Sequence, residues 1–325
     1  MTTSVFIIGP SRSGTTVLSE ALGKHSDIYQ CEELHYYNLI LPKLNDIEEG
    51  GSNLGYLLLK KIDSEKKFFD VKNHFTDNCD LLKNSNEYQS CNVKGLKYFF
   101  EELGDNSSIV VEQTPMNLFY IDHIKSEFKN ALFIKMSRDI RALMASQKHR
   151  WKVGLNGDEY IPKEDIKRVK YSGHPIIQLL LLRAIAKQVT LVNKRTDVIN
   201  VKFEDLVSNP QGTLADICSH INVDFEETML SVSDRGSSHD KEINSKGFSE
   251  SRSQSWKKNL TTTEIWLCQK VYPELVEGEF IHCQPKISEL LMLVTTFPYY
   301  LLRALLLSKH SYGNLILAIK RRLFR

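Results

Sequence analysis

The sequence predicts an α/β fold: a parallel sheet flanked by helices on both faces, followed by a helical C-terminal tail. Three observations carry that expectation. The chain opens on a β-branched and aromatic run, Val5-Phe6-Ile7-Ile8, which turns at once into Gly9-Pro10-Ser11-Arg12-Ser13-Gly14-Thr15-Thr16 and then the helical spacing Val17, Leu18, Ala21, Leu22. Further short apolar runs alternate with segments of helical period, which implies parallel pairing through right-handed crossovers. The polar residues suited to chemistry fall just after the apolar runs, where open α/β sheets bind their ligands.

Taken in order, Val5–Ile8 is a buried strand and Gly9–Thr16 a tight loop opening into a helix. Such a loop aims successive backbone N–H groups at one point, and the helix start adds about +0.5 charge there, making an anion cradle of P-loop-like form. Asp27–Cys31 is a short second strand leading to Glu32-Glu33-Leu34-His35-Tyr36-Tyr37. Residues 45–92 are polar and rich in Asn, Lys and Asp, as expected of an insertion of short helices and loops. Ser108–Val111 is a strand ending at Glu112-Gln113-Thr114-Pro115, with a turn and helix after it. Ala131–Met136 is the next strand; it ends in Ser137-Arg138-Asp139 and continues as a helix through Ile140, Leu143, Met144 and Ser146. Residues 152–172 form a charged, glycine-containing, lid-like excursion. Pro175–Asn193 is helical, and Val198–Phe203 is a strand followed by Glu204-Asp205-Leu206.

The organisation expected is one unit over 1–285 and an apolar, basic extension over 286–325. The 325 residues carry a net charge of +2, which argues against a general nucleic-acid binder. That total hides an asymmetry. From Lys286 onward seven basic residues face one acid, Glu289, so the tail is +6 and the remainder −4. Leu290–Leu307 is apolar but interrupted by Pro298 and Arg303, and is expected to fall short of the ~20 residues of a spanning helix. With Lys320-Arg321-Arg322-Leu323-Phe324-Arg325 behind it, the tail suits peripheral contact with an anionic membrane surface. Helices that cover the domain or join a homodimer are the alternative. Six cysteines lack CxxC or zinc spacing, the pattern of reduced thiols in a cytoplasmic protein, with a Cys79–Cys91 pair left open. The first strand begins so early that neither a signal peptide nor an N-terminal anchor is expected.

The cradle lacks one part. Nucleotide triphosphatases place lysine on the phosphates and Ser/Thr on magnesium in GxxxxGK[ST]; here Thr15 stands at the lysine position and the cation, Arg12, sits inside the loop. The loop PSRSGTT, the Glu32-Glu33 pair, Ser137-Arg138-Asp139 with Ser146 eight residues after Arg138, and the late Ser255-Trp256-Lys257 together resemble the sulfotransferases that use 3′-phosphoadenosine-5′-phosphosulfate (PAPS). The resemblance spans residues 4–280 and is nearer to the arginine-loop branch of tyrosylprotein, carbohydrate and many bacterial enzymes.

The resemblance implies a residue set. Ser13, Gly14, Thr15 and Thr16 would hold the 5′-phosphosulfate, with Arg12 stabilising the leaving oxygen as a permanent forked cation and no metal required. Arg138 and Ser146 would bind the 3′-phosphate, with Arg150 as a third contact. Glu33 would take the proton of the acceptor hydroxyl, with Glu32, then His35 and His149, as alternatives. Trp256 and Lys257 would close over the nucleotide. Two departures stand out. Gln113 replaces a lysine found in many relatives, leaving Lys135, Lys246 or Lys257 to compensate, and Phe203 replaces a tyrosine near the nucleotide. The implied acceptor is a hydroxyl-bearing small molecule, glycan or glycolipid. The rivals are a kinase-like P-loop transferase and an inactive nucleotide-binding scaffold.

Overall fold

The structure, a computed structural model, describes residues 2–31, 33–40, 96, 100, 107–155, 161, 163–232 and 248–307. Five strands, β1 (Thr3–Ile8), β2 (Ile28–Cys31), β3 (Ile109–Gln113), β4 (Leu132–Ser137) and β5 (Val198–Lys202), form one sheet in the order β2-β3-β1-β4-β5. All four pairings are parallel. Among the described residues the helices with defined bounds are α1 (Thr15–Leu22), α2 (Ile121–Glu127), α3 (Ile140–Leu155), α4 (Ile166–Ser172), α5 (Pro175–Val192), α6 (Phe203–Ser208), α7 (Pro210–Ile221), α8 (Ser251–Gln254), α9 (Trp256–Asn259), α10 (Thr262–Val271) and α11 (Ile287–Leu306).

The central position of β1 explains its composition. Val5, Phe6, Ile7 and Ile8 have no exposed surface because both sheet faces are covered. Side chains alternate: Phe6 and Ile8 join Val110, Phe133, Ile124 of α2 and Leu182 of α5 on one face. Val5 and Ile7 join Val111, Ile134, Leu18 of α1 and Leu214 of α7 on the other. Each such side chain contributes about 1.5–3 kcal/mol on burial. Phe6 also stacks on Phe133 with ring centroids 5.7 Å apart. The expected layered α/β architecture is therefore present. The loops after β1, β3, β4 and β5 open on one edge of the sheet, where the strand order reverses.

Two elements differ from the sequence expectation. The stretch 152–172 is largely helical among its described residues: α3 runs on to Leu155 and α4 begins at Ile166. Trp151, Ile161, Ile166 and Val169 gather into a small apolar cluster whose spacing the surrounding lysines and arginines mask. The C-terminal apolar segment is also longer than expected. It is a 20-residue helix that carries Pro298 inside it, so it has the length of a bilayer span. Residues 45–92, with Cys79 and Cys91, lie outside the described residues.

Candidate functional site

The loop after β1 is shaped by its glycines. Gly9 (φ 146°) and Gly14 (φ 97°) occupy backbone regions that side chains disfavour, and both lack room for a Cβ. At Gly9 that atom would lie 2.4 Å from the Met136 carbonyl oxygen, and at Gly14 2.4 Å from the Phe203 ring. The loop is thus pressed against the ends of β4 and β5. Ser13 N–H donates to Pro10 O at 3.1 Å, tightening the turn, while the buried Ser13 Oγ has no hydrogen-bond partner among the described residues. Thr15 is buried and Thr16 exposed at the first turn of α1.

Arg12, itself at φ 76°, reaches across to α3, where its Nε donates to the buried Ser146 Oγ at 3.1 Å. Arg138 donates from Nη1 to the Arg12 carbonyl at 2.9 Å and from Nη2 to the Arg252 carbonyl at 3.0 Å. Its guanidinium lies 4.1 Å over the Phe203 ring, and its buried Nε finds no acceptor among the described residues. Burial lowers its pKa to about 10, partly offset by Glu204, so it remains a cation at neutral pH. Arg12 therefore meets Arg138 and Ser146, each more than a hundred residues further along the sequence, at one place. Phe203 supplies a flat apolar floor under the guanidinium and against Gly14, a role that needs no hydroxyl.

The second cluster surrounds the end of β3. Gln113 Nε2 donates to Glu33 Oε1 at 2.9 Å, and His35 Nε2 lies 2.9 Å from Glu33 Oε2. Arg150 projects from α3 within electrostatic range of Glu33 and of the Asp165–Arg168 pair. Burial disfavours the His35 imidazolium, but the hydrogen bond and charge of Glu33 outweigh it and raise the His35 pKa. Gln113 thus orients the carboxylate. Glu32 and Lys246 lie outside the described residues. His149 Nδ1 lies 3.1 Å from the Ala145 carbonyl oxygen, and Lys135 is buried with its ammonium against Asn193. Trp256 is enclosed in the core with the Arg141 guanidinium 4.1 Å over its ring, and the exposed Lys257 Nζ lies 5.7 Å from that ring.

Sequence reasoning passed over two residues here. Glu112, fully buried at the end of β3, accepts from Leu34 N–H at 3.2 Å, from Asn117 Nδ2 at 2.7 Å and from Thr114 Oγ1. It fastens the segment bearing Glu33 and His35 to the sheet, and the signal available was a carboxylate at a strand end. Desolvation raises its pKa from 4.5 to about 7, against its hydrogen bonds to Thr114 and Leu34. A carboxyl with a raised native pKa costs nothing at low pH, where both folded and unfolded states are protonated. The cost grows as pH rises from the unfolded value to about 7. Glu112→Gln removes that dependence, so melting curves should show the variant gaining on the wild type as pH climbs through this window; parallel curves would contradict the assignment. The other residue is Arg141, buried against Asp139 and over the Trp256 ring.

Comparisons with known proteins bear on the family and the fold. The chain matches the sulfotransferase family over residues 4–227, a span that contains Arg12, Glu33, Arg138, Ser146 and Arg150. No curated protein matches it. Among solved structures it is similar to the sulfotransferase domain of the curacin biosynthetic pathway, with a TM-score of 0.51 and 20% identity, over 86% of this chain and 99% of that one. A sulfotransferase domain from the Synechococcus olefin synthase gives 0.49 and 18%, over 83% and 94%. A sulfotransferase from Mycobacterium avium gives 0.43 and 12%, over 88% and 79%. The structural likenesses concern the fold, and the family match covers well over half of the sequence: the chain belongs to the sulfotransferase family.

Proposed function

We propose that the protein moves a sulfuryl group from PAPS to an acceptor hydroxyl, of a carbohydrate or glycolipid, by the arginine-loop mechanism. The observation that carries this reading is the convergence of Arg12, Arg138 and Ser146 beside the glycine-lined loop. Two buried donors there, Ser13 Oγ and Arg138 Nε, lack acceptors among the described residues, as fits a site that receives two separate anionic groups. A nucleotide with a 3′-phosphate offers that second group; ATP does not.

The residues then divide the work. Loop amides and the Ser13, Thr15 and Thr16 hydroxyls hold the 5′ end, and Arg138 and Ser146 hold the 3′-phosphate. As the sulfur–oxygen bond to the donor phosphate breaks, charge collects on the leaving oxygen, where Arg12 stabilises it. Glu33 accepts the hydroxyl proton as the new sulfur–oxygen bond forms. Gln113 adds no charge, and Arg150 is the cation facing this carboxylate. The segment that leads into Trp256 and Lys257, proposed to close over the nucleotide, holds Arg138 through the Arg252 carbonyl. The described cysteines, Cys31, Cys218, Cys268 and Cys283, are free thiols, which supports a cytoplasmic setting.

Thermal denaturation with added nucleotide tests the reading. With a chelator present, 3′,5′-adenosine bisphosphate should raise the melting temperature, since a ligand that binds the native state stabilises it by mass action. Stabilisation by Mg-ATP alone would overturn the proposal in favour of a kinase-like transferase. Bisphosphate binding without turnover on any hydroxyl acceptor would favour a scaffold.

A further inference from the structure

Helix α11 has two unlike faces. The inner one is fastened to the body: Leu293 and Ala304 are buried, Thr296 Oγ1 lies 3.1 Å from His174 Nε2, and Tyr300 meets Tyr171 edge-on at 5.5 Å. The outer one is apolar and open. Ile287, Leu291, Met292, Tyr299, Leu302 and Leu306 are each between 44% and 76% exposed. At 100° per residue they fall within an arc of about 140°. An exposed apolar strip of this length is rare on a free surface.

Charge identifies what covers it. Lys286 and Arg303 are exposed at the two ends of the helix, and the chain after it carries Lys309, Lys320, Arg321, Arg322 and Arg325 with no acid. Glu289, the one acid beyond residue 285, is turned inward to Thr263 N–H and pairs with Lys286. The remaining 285 residues total −4, so an anionic surface attracts this end of the molecule and repels the rest. A second copy would bring two strongly basic tails together. The chain's own residues 308–325, folded back, would set like charge against Arg303. A spanning orientation would require stripping the inner face from α4 and α5.

We propose that α11 is an interfacial helix, seating its outer face in an anionic phospholipid bilayer while the basic tail engages the headgroups. Tyr299 sits on the lipid-facing arc, where an amphipathic ring favours the interface. The catalytic edge of the sheet is then held at a fixed orientation to the membrane. The inference does not depend on the sulfotransfer reading.

Flotation of the full-length protein with vesicles tests it. Vesicles containing phosphatidylglycerol should retain the protein at least about tenfold better than pure phosphatidylcholine, and high salt should release it. Leu291→Ser with Leu302→Ser, two exposed positions, should abolish retention at an unchanged melting temperature. Equal retention on both vesicle types would overturn the proposal. So would retention that resists both salt and the double substitution, or a wild-type dimer that the double substitution dissociates without any vesicle binding.

Discussion

Replacing Glu33 by Gln should lower turnover by about 10²–10⁴-fold while leaving the affinity for 3′,5′-adenosine bisphosphate nearly unchanged. The neutral amide preserves shape and still meets His35 and Gln113, so only proton acceptance is lost. A parallel readout comes from His35. Its imidazolium is favoured by the Glu33 carboxylate, so in the variant burial prevails and His35 should titrate at a lower pH than in the wild type, as followed by NMR. Normal turnover with weakened bisphosphate binding would remove Glu33 from the role of base. An unshifted His35 would mean that the pair is not coupled in solution.

The largest expected effect on stability lies at Arg141. This buried side chain grips Asp139 through Nε and Nη2, donates to Gln269 Oε1 and to the Glu277 and Glu279 carbonyls, and lies over Trp256. Arg141→Met removes the cation and leaves the Asp139 carboxylate buried alone, at an expected cost of about 3–5 kcal/mol in urea denaturation. The diagnosis can be separated from simple loss of packing. Adding Asp139→Leu to that variant removes the stranded charge, so the double variant should be more stable than Arg141→Met alone, even though the backbone N–H at position 141 loses its 2.7 Å acceptor on Asp139. If the second substitution makes matters worse, the charge is not the cause.

These two predictions rest on features of very different legibility. The form of the loop at Gly9–Thr16 was readable because its parts are local: glycines, a cation and a helix start lie within eight residues. Arg138 and Ser146 were readable because two turns of a single helix relate them. The inner strands β1, β3 and β4 were equally plain, since each is a mainly apolar run of the length a covered sheet requires. Glu112 and Arg141 were not readable, because their meaning is in contacts with Leu34 and with residues 269–279, far away in sequence. Arg141 in particular looks like a solvated helix-surface charge until α10 and the segment after it close over it. The α4 helix was obscured for the opposite reason: Ile166 and Val169 are its main apolar anchors among three basic residues. Pro298 likewise interrupts the apolar pattern of α11 without ending the helix.

Arg138 ties three distant parts of the chain together, and that has a bearing on where the molecule can be divided. The family match stops at residue 227, beyond the last strand, so a fragment ending there would retain the whole sheet and nearly every residue assigned to the nucleotide. It would nevertheless lose the Arg252 carbonyl that holds one arm of Arg138, and all of the cover over Arg141. The matched span therefore ends before the residues that complete the contacts of Arg138 and Arg141. Residues 252–279 thus brace two arginines of the first half of the chain, although the residues proposed for the chemistry nearly all precede them.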